Sequence, residues 1–408
     1  MFELSQIRNY LVFGSNNNKR VETTTMQSNK LRMAIRATAA VAVFGVAGQA
    51  SAVSFSAGDY DVSVYGYGRL NASYDFDANV ANSTRSAAFD RLENAAGANA
   101  QNDDITGHFG ADAFQSRLGF KTTSPEGVNV TVEGDFRGGG GGSLRLRHAF
   151  GEYNGVLMGQ TWSNFNSFVG NTSTLDFDSL PGLAGLQGRV AQARYTTGPM
   201  SFSLEQPSFS VLNGPDERNS LPTFTARMED SQGGLSYSAA LLANQVTVDN
   251  GADDDSAVGF ATFVAAKMAL TDMITIQGTL TYTDGANDYL YRSGENFGAA
   301  SAYVNGNSIE TISGYGGSVG AGVNLGGGRS INIGYGYVEV DWDDAESDLG
   351  AAAVAGQSES NQAIMANYQW TPVRNVMMGV EYQFIKRENV DGTDSDANRL
   401  LFAAQYNF

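Results

Sequence analysis

Beyond residue 52, apolar residues in this chain recur at every second position and never run on long enough to build a membrane helix. In 127-GVNVTVEGDFRG-138, Val128, Val130, Val132 and Phe136 share one face, while Asn129, Thr131, Glu133, Asp135 and Arg137 share the other. In 374-RNVMMGVEYQFIKR-387, Val376, Met378, Val380, Tyr382 and Phe384 line up against Gly379, Glu381 and Gln383. A helix would scramble both faces, so a period of two marks strands. A spanning helix needs roughly 20 consecutive apolar residues, whereas a spanning strand needs about 9 to 11 with only alternate ones apolar. The pattern excludes a helical membrane protein and leaves two settings for the apolar face, the core of a sandwich or lipid.

Counting separates the two. Strands are expected near 60–75, 110–121, 127–137, 143–153, 156–163, 188–197, 199–207, 222–230, 234–245, 256–269, 272–283, 311–324, 329–340, 361–370, 375–387 and 397–408, sixteen in all. The connections between them alternate. Long segments at 76–109, 164–187, 246–255, 284–310 and 341–360 are each followed by a tight turn, around 124-SPEG-127, 196-TTGP-199, Leu270-Thr271-Asp272, 325-LGGG-328 and 371-TPVRN-375. The glycine run 138-GGGGG-142 is a short exception on the long side. Short turns on one rim and long loops on the other suit a 16-stranded antiparallel transmembrane β-barrel with periplasmic turns and extracellular loops. The last twelve residues, 397-ANRLLFAAQYNF-408, put Leu400, Phe402, Ala404, Tyr406 and Phe408 on one face and end on an aromatic. That ending resembles the closing-strand signal read by the outer-membrane assembly machinery of Gram-negative bacteria.

The residues before 53 read as an address. Lys30, Arg32 and Arg36 precede the weakly apolar run 37-ATAAVAVFGVAGQASA-52, which closes on the small residues a signal peptidase accepts. Residues 26–52 are therefore expected to be a signal peptide, with a native start at Met26 or Met33. Residues 1–25 fit no part of one and are expected to be an over-extended start or a disordered N-terminus; residues 53–408 would form a single barrel domain. Cleavage lowers a net charge of −18 to 19 basic against 41 acidic residues, or −22. Such a surplus disfavours nucleic acid as a partner. With no cysteine and only His108 and His148, neither a thiolate site nor a multi-histidine metal centre is expected, and no cofactor is implied.

Inside this acidic chain, 143-SLRLRHAF-150 points Leu144 and Leu146 one way and Arg145 and Arg147 the other. An arginine facing lipid at mid-membrane costs about 2–4 kcal/mol, so the arginines must face the lumen. By alternation Arg117 shares a face with Gln115 and Lys121, and Arg69, Arg137, Arg194 and Arg227 also fall on polar faces. The same alternation puts His148 off the lumen. A wall of guanidinium groups replaces the hydration an anion loses in a narrow pore and can grip a carboxylate with two parallel bonds. Small anions, carboxylates especially, are the expected permeants. The competing reading pairs these arginines with Glu133, Asp135 and Glu152 and leaves a weakly selective pore.

The apolar segment 164-NFNSFVGNTSTLDFDSLPGLAGLQ-187 is too long for a turn. Folded inward it would narrow the pore and set Asp176 and Asp178 opposite the arginines; folded outward it would be a cap. The surplus acid sits in 253-DDD-255, 341-DWDDAESD-348 and 388-ENVDGTDSD-396, where solvation competes with divalent-cation bridging to lipopolysaccharide.

The run 145-RLRHAFGEYNGVLMGQTWSNF-165 resembles the signature stretch of the DcaP-like porins, in which an Arg/His-Ala-aromatic-Gly-Glu strand leads into Gly-Gln-Thr-Trp-Ser. The resemblance implies a homotrimer of sixteen-stranded barrels passing small anionic, often dicarboxylic, solutes, with Arg145, Arg147 and Gln160 at the matching positions. Some members carry an N-terminal coiled coil; here the first strand begins about eight residues after the cleavage site, so trimerisation would rest on barrel walls. Other classes find less support. Catalysis lacks a nucleophile with a positioned base. The run 138-GGGGG-142 lacks the Lys-Ser/Thr of a phosphate loop. A general or sugar-preferring porin, with Tyr65, Tyr67 and Trp162 as stacking surfaces, is the alternative function, and a passive structural barrel a third.

Overall fold

The computed structural model describes residues 52–214, 218, 220–249, 254–295 and 297–408. The expected over-extended start and all but the last residue of the expected signal peptide lie outside them, as does Asp253 of the acidic run 253–255. The chain closes into an antiparallel barrel of sixteen staves. They are β1 (Tyr60–Asp75), β2 in two pieces (His108–Asp112 and Arg117–Thr123), β3 (Asn129–Gly138), β4 (Ser143–Tyr153), β5 (Val156–Trp162), β6 (Arg189–Thr197), β7 (Met200–Glu205), β8 (Thr223–Gln232), β9 (Leu235–Asp249), β10 (Asp254–Ala269), β11 (Ile274–Asp284), β12 (Ser313–Gly326), β13 (Arg329–Val340), β14 (Ser358–Val373), β15 (Val376–Asn389) and β16 (Asp394–Asn407). Each pairs with its neighbours in the chain, and β16 pairs with β1 from Asn407↔Tyr67 to Arg399↔Asp75 to close the ring. Phe408 completes that seam, donating its N–H to Gly66 O at 3.0 Å and accepting from Gly66 N at 3.1 Å.

Alternation decides the faces. Leu118, Leu144, Leu146, Val258, Leu280 and Val319 all stand exposed on the outside, where lipid is the matching solvent. The buried residues are the inward ones together with the loops that fill the lumen. Short turns gather on one rim. At Asn154 and Gly155, φ values of +49° and +82° make the two-residue hairpin turn that an Asn-Gly pair favours.

Several expectations need correction. A five-residue strand, Val53–Ala57, precedes β1 and folds back on it. The second stave, expected to be continuous, breaks at 113–116, where Asp112 Oδ1 caps the Phe114 N–H at 3.0 Å. The connection expected at 246–255 shrinks to 250–253 because β9 and β10 project beyond the wall as a long hairpin, and 388–396 shrinks to 390–393 for the same reason. The acidic run 341–348 includes a short helix, α1 (Asp343–Leu349), whose first turn carries Asp343, Asp344 and Glu346, where the helix dipole favours negative charge.

The first loop (76–107), the third (163–188) and the sixth (285–312) turn into the barrel and pack together. Val80, Phe89 and Leu92 of the first, Leu180 and Leu183 of the third and Tyr291 of the sixth form one apolar cluster with Ala363, Met365, Ile385 and Ala397 of the wall.

Candidate functional site

The opposite wall, β2 to β6, carries the basic residues. Asp135 and Glu133 on β3 are its anchors. Arg145 forks onto Asp135, donating from Nε at 3.0 Å and Nη2 at 2.7 Å. Arg147 donates to Glu133 at 2.8 Å and to Asp135 at 3.0 Å. Arg117 lies 3.2 Å from Glu133 and its guanidinium stands 5.0 Å from the centre of the Tyr67 ring. Exposure separates the three: the Arg145 side chain is 36% exposed and Arg117 17%, but Arg147 only 1%. Arg189, at the start of β6, lies 4.6 Å over the Trp162 ring and within electrostatic reach of the other three. Four guanidinium groups against two carboxylates leave this cluster a net charge of +2.

His148 belongs to the same cluster, which corrects the expectation that it faces away. The β3–β4 register shifts at this point, pairing Glu133 with His148 but Gly134 with Leu146. The extra residue is a β-bulge, and past it every side chain of β4 changes face. His148 therefore follows Arg147 inward, with Nδ1 2.9 Å from Thr161 Oγ1. Gln160, matched to the family motif, pairs instead with Ala149, on the outward side with Val132, and its amide reaches only the Arg147 carbonyl, at 3.2 Å.

The remaining predicted residues spread along the lumen. Arg69 donates to Leu175 O at 2.7 Å and Gln405 at 3.1 Å, so it holds the third loop. Arg137 bonds Ser83 and Asn82 of the first loop. Gln115 accepts from Asn71 at 2.9 Å, and Lys121 stands 5.3 Å over Tyr65. Arg227 donates to Asn166 O, and neither it nor Arg194 has a carboxylate within 4.0 Å among the described residues.

The third loop lies within the lumen and its Phe177 ring sits between Arg85, at 4.5 Å, and Arg147, at 5.4 Å. Asp176 and Asp178 face away from Arg145 and toward the first loop. Asp178 pairs with Arg85 at 3.5 Å and accepts from Ser86 at 2.6 Å; Asp176 accepts the Ala87 N–H at 2.9 Å. Burial pushes the Asp178 carboxyl up, but Arg85, Arg292 and the Ser86 hydroxyl outweigh it and hold the group below the usual carboxylate range. At Asp176 burial prevails and the carboxyl is raised.

Sequence reasoning missed Arg85, Arg189, Arg292 and Arg399. Arg189 is five residues from Arg194, which by strict alternation sends it outward; at the first residue of β6, opposite Trp162, its guanidinium instead lies over the Trp162 ring beside the cluster. Arg85 and Arg292 come from loops, where no periodicity exists to read. Arg399 was legible, since it alternates with Leu400 and lies inward against Asp75 at 2.9 Å.

The family model described as DcaP outer membrane protein matches residues 46–408. Among solved structures, the outer membrane channel DcaP of Acinetobacter baumannii is 29% identical over 86% of this chain and 99% of that one, with a TM-score of 0.74. An anion-selective porin from Comamonas acidovorans shares the fold at 13% identity, covering 86% of this chain and 100% of that one, with a TM-score of 0.55. OmpT of Vibrio cholerae does so at 12% identity, 87% and 100% coverage and a TM-score of 0.54. No curated protein matches the chain closely enough to count as a relative.

Proposed function

From the premise that the chain belongs to the DcaP outer membrane protein family and is a porin-type channel of the Gram-negative outer membrane, we propose that it passes small anions, carboxylates above all, by passive diffusion past an arginine-lined constriction. The observation that carries this reading is the excess of guanidinium over carboxylate on the β2–β6 wall, facing a third loop that fills the other side of the lumen. Fixed positive charge replaces an anion's lost hydration and repels cations. Arg145, Arg117 and Arg189 are the groups an ion meets. Arg147, buried beneath them, holds Glu133 and Asp135 in place so that neither faces the passage alone. Below the cluster, Arg194 and Arg227 extend the basic lining toward the short-turn rim.

The test is the reversal potential of the purified protein in a planar bilayer under a salt gradient, for the wild type and for Arg145→Ala and Arg189→Ala. Each removed charge should lower the anion-to-cation permeability ratio, the anion losing and the cation gaining roughly a fivefold Boltzmann factor, that of about 1 kcal/mol between unit charges 4 Å apart in water. A cation-preferring wild type, or a ratio that neither substitution moves, would replace this reading with a general diffusion porin whose arginines are neutralised by Glu133 and Asp135.

A further inference from the structure

The sixth loop sends one charged side chain into the middle of the filled half of the lumen. Arg292 is 0% exposed and sits at φ +62°, in the left-handed region where a residue other than glycine is uncommon. Its Nη2 donates to the Ala87 carbonyl of the first loop at 2.6 Å, and its Nη1 donates to the Ser179 carbonyl of the third. The guanidinium carbon lies 4.6 Å over the Phe89 ring. The wall grips the same residue from behind: Asn361 Nδ2, on β14, donates to Arg292 O at 2.8 Å and to Gly294 O at 2.7 Å. Next to it, the Tyr291 carbonyl accepts the Gly182 N–H at 3.0 Å.

Arg292 thus joins three loops and the barrel wall. No carboxylate lies within 4.0 Å of it among the described residues, although Asp176 and Asp178 are within electrostatic reach. A buried charge is costly unless its hydrogen bonds are met; here one loop carbonyl serves each terminal nitrogen, while the buried Nε has no hydrogen-bond partner. The planar guanidinium fork suits this task because it serves two acceptors at a fixed spacing, which a lysine ammonium on a flexible stem does not. Ser179, one of those acceptors, is itself left-handed at φ +59° and lies two residues from Phe177, the ring that borders the basic cluster.

We propose that Arg292 is a positioning residue: by tying Ala87 to Ser179 it sets where the third loop holds Phe177 against Arg147, and so sets the bore of the channel. The proposal rests on the channel reading only in taking the lumen as the path of ions. A wild type that preferred cations would overturn the anion assignment and leave a conductance test of Arg292 intact.

The experiment compares single-channel conductance and current noise of the wild type with Arg292→Met, which keeps the bulk and removes the charge, and with Arg292→Lys. Correctly closed barrels are identified by their heat-modifiable gel mobility. Arg292→Met should conduct about twofold more, with added open-channel noise, as a wider and less fixed constriction would; Arg292→Lys should fall between it and the wild type. A residue needed only for stability would reduce the yield of closed barrels without changing the current through those that form, and that result would overturn the proposal. Should Arg292→Met fail to close, Arg292→Lys decides, since it keeps the charge and loses the fork that serves both carbonyls: raised conductance supports the proposal, and wild-type current overturns it.

Discussion

Arg145 and Arg147 sit two positions apart on one strand face and perform different tasks. Arg145 is a third exposed and forks onto one carboxylate; Arg147 is sealed at 1% and bonds two. Removing one partner of a buried ion pair strands the other in a poor solvent, at a cost of about 3–5 kcal/mol, whereas exposed pairs are worth roughly 0–1 kcal/mol. Arg147→Met is therefore expected to destabilise the barrel by about 3–5 kcal/mol in urea unfolding from lipid vesicles, and Arg145→Met by about 1 kcal/mol or less. Equal losses at the two positions would mean that Arg145 is as structural as its neighbour. Alternation alone sufficed to send both arginines inward, because one lipid-facing guanidinium is so unfavourable. It could not separate them, since which carboxylate lies opposite depends on register. Nor could it place His148, because a one-residue bulge leaves no mark in composition.

At the scale of the element, the third loop was legible as an exception: too long for a turn and too apolar for water. What receives it was not. The loop lies against a wall stripped of side chains, where a Cβ on Gly336 would stand 2.9 Å from the Leu180 side chain and one on Gly379 2.8 Å from that of Leu175. Gly182, at φ +72°, comes so close to β12 that its own Cβ would lie 2.5 Å from the Gly317 nitrogen. In sequence these glycines read only as weak strand formers, because their purpose is set by a segment far away in the chain. Glu381 then fixes the loop's backbone, accepting the Leu175 and Asp176 N–H groups at 2.7 and 2.9 Å. Gly336→Val should push the loop off β13 without opening the barrel, since its backbone bonds to β12 and β14 remain. Overpacking of this kind costs typically 1–3 kcal/mol. The expected signs are a lowered unfolding midpoint and altered conductance with unchanged gel mobility. Wild-type conductance in a closed barrel would show that the loop tolerates displacement there. The strands themselves were read within a few residues, and the errors fall where hairpins such as β9–β10 continue past the membrane on polar residues, with no change of solvent to mark the limit.

At the scale of the molecule, a chain of net charge −18 lines one wall of its lumen with arginine and concentrates acid near its long-loop rim. Asp343, Asp344 and Asp348 stand exposed around α1, with Glu346 half-buried beside them. The two sets of charge act over different distances. On the proposed reading, an anion at the constriction is within contact range of guanidinium groups, so salt weakens that attraction only in part. The rim acts from farther away, and its repulsion is felt only while the Debye length is long, about 30 Å at 0.01 M salt against 3 Å at 1 M. Neutralising the rim with Asp343→Asn, Asp344→Asn and Asp348→Asn together should therefore raise chloride conductance at 0.01 M and leave it unchanged at 1 M. Arg189→Ala should lower the anion preference at both concentrations. If the triple substitution has no effect at low salt, the rim lies outside the field that entering ions feel, and its acid serves solvation alone. If Arg189→Ala acts only at low salt, the constriction steers ions at a distance and does not contact them.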